Sequence, residues 1–175
     1  MNIELALLII HIIGTIVGVG GATLIEVHLN QALKDKNISS DEREFLKLDY
    51  TIVRVGLILA ILSGFGLLAY HRIMEHYGVM MNPIVWSKFV IVIIIAINTL
   101  LLQAKRINLY WGAAFSFVSW WAAAIFGVFI TERVPIDIFG KGSFISSFGS
   151  VMLIYGVTVI VGAYILHRIR NKIAP

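Results

Sequence analysis

Apolar residues run along this chain in five blocks separated by shorter polar pieces. A hydrocarbon core of about 30 Å takes roughly 20 mostly apolar residues in helical form. The blocks Ile3–Leu29, Thr51–Tyr70, Ile84–Gln103, Leu109–Ile130 and Ser146–Leu166 meet that length. Helix is the expected form of each, because a helix satisfies its own backbone polar groups where no water is at hand. The pattern predicts an all-α polytopic membrane protein: one domain over residues 1–175, a bundle of five transmembrane helices in a lipid bilayer.

The polar pieces mark where these helices begin and end. In "KDKNISSDERE", Ser39 is followed three residues later by Glu42, the spacing of a capping box. A helix is therefore expected to start near Ser40, with a turn of a few residues around Asn37–Ser39 and both flanking helices projecting beyond the membrane. "MNPIVW" places Pro83 in the first turn of the third span. "TERVPIDIFGKGSF" carries Pro135, Gly140 and Gly142 and is predicted to be the longest irregular piece.

Composition supports this picture. With 59% hydrophobic and 14% charged residues, the chain has too little charge to cover a soluble domain. A cleaved leader ahead of a soluble domain is not expected, since apolar blocks recur to the C-terminus and no small-residue cleavage site follows a basic start. The pI near 9.5 reflects topology rather than nucleic acid binding, because the basic residues lie between spans. Placing the N-terminus outside leaves Lys34, Lys36, Arg43, Lys47, Lys105, Arg106, Arg168, Arg170 and Lys172 in the cytoplasm, against Arg72, Arg133 and Lys141 outside. That asymmetry predicts N-out, C-in, in a bacterial inner or plasma membrane. The absence of cysteine excludes disulfides, thiolate metal sites and iron–sulfur clusters.

Ionisable groups inside the spans carry the functional signal, because each costs at least ~2.5 kcal/mol near the bilayer centre on insertion scales. His11, Arg54 and Lys88 lie within the spans, and Glu26 and His28 near the inner boundary of the first. With alternate spans antiparallel, they sort into two layers. His11 and Lys88 lie in the outer one, with His71 closing the second span on that side. Glu26, His28 and Arg54 lie in the inner one. There, Glu26 and Arg54 are expected either to pair as a clasp or to leave Arg54 for an anionic group such as a haem propionate or lipid phosphate. His28 also reads as a simple interfacial residue.

In the outer layer, the helical repeat puts His11, Gly14, Thr15, Gly18 and Ala22 on one side of the first helix. Close helix packing explains the glycines. A second reading uses the histidine too: imidazole binds a metal or haem iron, and Gly14 and Gly18 make room for a flat macrocycle. Lys88 either snorkels to the headgroups or faces inward as iron ligand or propionate partner. In "HRIMEHYGVMM", His71 and His76 stand among Met74, Met80 and Met81, a donor set that suits copper. Trp120 and Trp121 lie away from the interfaces, as packing or as a pocket wall. Asn98 and Thr99 are candidates for hydrogen bonds across the bundle.

The first-span histidine in "LLIIHIIG", the second in "EVHLNQAL" and the lysine in "WSKFVIVIIIAIN" resemble, over roughly the first 105 residues, the HemJ-type protoporphyrinogen oxidases and CopD-like membrane proteins. The resemblance implies a small helical bundle. In the HemJ branch it implies a b-type haem on His11 and an essential Lys88; in the CopD branch it implies copper handling. The chain departs from the HemJ pattern in reading "GATLIEVH" where a Pro-Arg precedes the second histidine, and in carrying Asn98 or Thr99 where a later third-span histidine is expected.

Together these features predict a haem b-binding protein of membrane electron transfer, with His11 as axial ligand and Lys88 or His71 opposite. A quinone, another membrane redox protein or a second copy of the chain would be its partner. The alternatives are a copper transport or delivery protein using His71, His76, Met80 and Met81, and a structural subunit without cofactor.

Overall fold

The computed structural model describes residues 2–32, 39–131 and 136–173. Among them every regular element is helical: α1 Ile3–Ala32, α2 Ser40–Ile73, α3 Tyr77–Met80, α4 Pro83–Gln103, α5 Leu109–Thr131 and α6 Phe144–Ile173. Five of these, all but the single turn α3, are long and apolar enough to cross a membrane. The chain is an all-α membrane protein with a five-helix bundle.

The sequence signals for helix ends hold. Ser39 caps α2 through a capping box with Glu42, and Pro83 opens α4 behind an Asn82 cap whose side chain accepts from the Ile84 amide (2.9 Å). Most of the turn expected around Asn37–Ser39 lies outside the described residues, as do Lys34, Lys36, Arg133 and Pro135. Helices α1 and α2 run longer than their apolar blocks, with 30 and 34 residues. At 1.5 Å per residue these are about 45–50 Å long and extend past a hydrocarbon core.

The most intimate pair is α1 with α2. A Cβ added at Gly14 would meet the Ala60 backbone, one at Gly21 would meet Val53, and one at Gly56 would stand 2.4 Å from the Gly18 nitrogen. As one residue number rises the other falls, which makes the helices antiparallel. In lipid there is little hydrophobic drive between helices, so close backbone approach through small residues supplies the contact. Gly18 has a second neighbour: its added Cβ would fall 2.2 Å from the Trp120 ring of α5. The α5 helix sits centrally. Of its most apolar stretch 56% is buried, against 22–33% in the others, and its hydropathy is the lowest, 1.6. A helix screened from lipid by its neighbours tolerates such polar residues as Ser116 and Ser119, both buried. Asn98 of α4 donates to the Gly112 carbonyl of α5 (2.9 Å), as expected of a cross-bundle bond, whereas Thr99 donates to Ile95 in its own helix.

Candidate functional site

The polar side chains do gather in two layers. His11 defines one, and Glu26 with His28 the other, about 20–25 Å apart along α1 at 1.5 Å per residue.

In the first layer, His11 Nδ1 lies 3.1 Å from both the Ala60 carbonyl and Ser63 Oγ on α2. A carbonyl only accepts, and Ser63 donates its own hydrogen to Leu59 O. Nδ1 therefore carries the proton and donates to both, and Nε2 is left with a free lone pair. No described residue bonds Nε2. Lys88, on α4, lies within Coulombic reach of the ring. Its amine has no hydrogen-bond or ion-pair partner among the described residues, and it faces Gly127 of α5, where an added Cβ would stand 3.2 Å from Nζ. Gly64 of α2 borders the histidine itself, its added Cβ 3.4 Å from His11 Cε1. At this level α2 and α4 meet through Phe65 edge-on to Phe89, with centroids 5.0 Å apart.

Two expectations for this layer are corrected. Gly14 and Gly18 make no recess, because the α2 backbone and Trp120 fill the space beside them. Sequence spacing shows where side chains are missing but not what another helix puts there. Trp120, 2% exposed, is thus packing rather than a free wall, while Trp121 faces outward at 44% exposure. His71 is also out of place as a ligand opposite His11. It lies eight residues beyond Ser63 on α2, about 12 Å further along the helix, and its Nδ1 pairs with His76 Nδ1 at 3.3 Å.

In the second layer, Glu26 does not pair with Arg54. Its carboxylate accepts from Arg170 Nη2 of α6. Arg170 also donates to the Tyr110 carbonyl of α5 through Nη1 and to Asn30 Oδ1 through Nε (3.3 Å). Asn30 Nδ2 closes the ring onto Glu26 Oε1 (3.3 Å). Both ions are almost fully buried, Glu26 at 5% and Arg170 at 4%. Beside them His28 Nδ1 donates to the buried Asp49 carboxylate (2.6 Å), so His28 does more than mark an interface. The Tyr50 hydroxyl is buried with no partner among the described residues. Arg54 points outward from α2 to the Gln103 side chain, whose amide oxygen in its satisfied orientation accepts from Nη2 at 2.9 Å.

No group of three or more His, Cys, Asp or Glu side chains able to hold a metal ion occurs among the described residues. No family model, curated protein or solved structure matches this chain.

Proposed function

We propose that this chain is a redox protein of the bacterial inner membrane, oriented N-out, that holds a b-type haem in the His11 layer. It would pass single electrons between that group and a quinone or another membrane redox protein. One observation carries the reading: His11 is fixed through Nδ1 to the α2 backbone and Ser63, which leaves Nε2 as an uncommitted donor. Metal-binding imidazoles are held in this way, with the distal N–H spent on a carbonyl that sets tautomer and ring direction.

The donor set fits a haem: an imidazole nitrogen for iron and, in Lys88, an amine without a partner among the described residues that a propionate would pair with. The packed Gly14–Gly18 face offers the macrocycle no room. Gly64 and Gly127 are the small residues that border the two donors, His11 and Lys88, so a macrocycle would be seated by repacking of α2 and α5 beside them. Haem supplies reversible one-electron chemistry when bound. The chain's own part is to orient the imidazole through Ala60 and Ser63 and to offset negative charge with Lys88.

The test is an absorption spectrum of the protein purified from cells supplied with haem precursor. The wild type should show a Soret band, and His11→Ala should lose it while remaining folded. A wild type without that band overturns the proposal.

A further inference from the structure

The end of α2 holds a second pair of imidazoles, and its backbone accounts for their meeting. The Met74 amide donates to Tyr70 O (2.9 Å), the Glu75 amide to Arg72 O (3.3 Å) and the His76 amide to His71 O (2.9 Å). Glu75 between them has φ 57. A bond from the residue after a left-handed position back across six residues is the Schellman arrangement, and it brings the side chains at its two ends into contact. That contact is ordinarily apolar. Here it is His71 against His76, with ring centroids 5.6 Å apart and planes tilted by 43°. The left-handed position is usually glycine or asparagine, and a glutamate there is strained by its Cβ.

We infer that His71 and His76 form a two-imidazole site for a borderline transition-metal ion of the Zn²⁺ class. Their Nδ1 atoms are 3.3 Å apart. Two nitrogens on one tetrahedral ion, at metal–nitrogen distances of about 2.0–2.1 Å, stand about 3.3–3.4 Å from each other. The site is reachable, since His76 is exposed and His71 half-buried. The nearest positive charge in sequence, Arg72, is turned onto the Tyr77 ring, 5.4 Å from its centroid. With two protein nitrogens, the remaining positions fall to water, so the ion is held in an open and exchangeable way. Met74, at the end of α2, and Met81, at the end of α3, are exposed at 50% and 70%, and thioethers of this kind suit only a softer ion such as Cu(I).

The site is independent of His11, and the experiment keeps the two apart. Full-length, tag-free protein in detergent is titrated calorimetrically with Zn²⁺. The wild type should bind about one ion per chain in the micromolar range. His76→Ala, an exposed change that leaves the bundle intact, should weaken binding by more than the roughly 10–100-fold typical of losing a group that only orients a ligand. His71→Ala should do the same, while His11→Ala should bind Zn²⁺ like the wild type. A wild type with no micromolar site, or a His76→Ala protein that binds as tightly, means the two rings share only an N–H···N hydrogen bond and overturns the inference.

Discussion

The His11 layer and the Glu26 layer both set ionisable side chains between helices and settle their charges in opposite ways. Around Glu26, a buried carboxylate meets a buried guanidinium, and the remaining guanidinium nitrogens find Asn30 and a backbone carbonyl. Around His11, one ring nitrogen is tied down and the other has no partner among the described residues, nor has the amine of Lys88, which faces Gly127. A closed network in a membrane protein fastens helices together. An open one has donors left for something else, and keeping them open costs stability.

If that contrast is right, the largest effects on folding come from the closed layer. Arg170 joins α6 to α1 and α5, so Arg170→Ala leaves Glu26 buried without its cation, with the Asn30 amide as its remaining bond. The expected cost is about 3–5 kcal/mol, the usual consequence of removing one member of a buried pair. Replacing both together, as Glu26→Gln with Arg170→Met, should recover most of that loss. Detergent denaturation followed by tryptophan fluorescence measures both. A single variant as stable as the wild type would mean that the network fastens nothing.

The open layer is expected to respond with smaller effects of different sign. Lys88→Met removes an amine with no partner among the described residues and should stabilise the protein by less than about 2.5 kcal/mol, the insertion cost of a lysine at the centre of a span. Lys88 lies only five residues past the start of α4 at Pro83. His11→Ala loses its hydrogen bonds to α2 and should destabilise by about 1 kcal/mol. The same denaturation assay reads both. A strongly destabilised Lys88→Met would show that the amine has a structural partner, and the contrast between the layers would fail.

Much of the architecture was legible in the sequence because apolar block length and helix caps are local. Block length located the spans, the Ser39–Glu42 spacing located the start of α2, and Pro83 located that of α4. The inner network was not read, for a physical reason. Span limits drawn on hydropathy stopped at Thr51 and Leu166, whereas the helices run from Ser40 and to Ile173, so Asp49 and Arg170 were left outside. A signal for Asp49 was present: Leu46, Asp49, Val53, Leu57 and Ala60 recur at helical spacing and are all buried, which sets the carboxylate on the inward stripe. Nothing comparable announces Arg170, whose partner lies 144 residues away. Gly18 shows the same limit. Its missing side chain is visible in the sequence, but the Trp120 ring that takes the space is brought there only by the packing of α5 on α1.

The smallest expected effect lies outside both layers, in the loop before α6, and tests whether a charge can be closed off without burial. Asp137 accepts from the Ser146 hydroxyl and from the amides of Phe139 (3.1 Å), Gly140 (3.0 Å) and Gly142 (2.7 Å). The Ser146 bond, followed by the amides of Gly142, Gly140 and Phe139, holds its carboxyl below the usual carboxylate range. Gly140 and Gly142 take φ of 65° and 59° to aim their amides inward, a conformation that costs glycine little. A carboxyl with a depressed folded-state pKa adds order that is complete above its unfolded value and is lost as pH falls through the folded one. Amide exchange at Gly140 and Gly142, corrected for intrinsic rates, should therefore stay slow at neutral pH and rise only in acid below the ordinary aspartate range. Asp137→Ala should raise it at neutral pH, with the bundle's own stability little changed. Equal protection in the variant would assign the loop's order to its flanking contacts, Ile138 on Ser150 among them (2.9 Å), and not to the carboxylate.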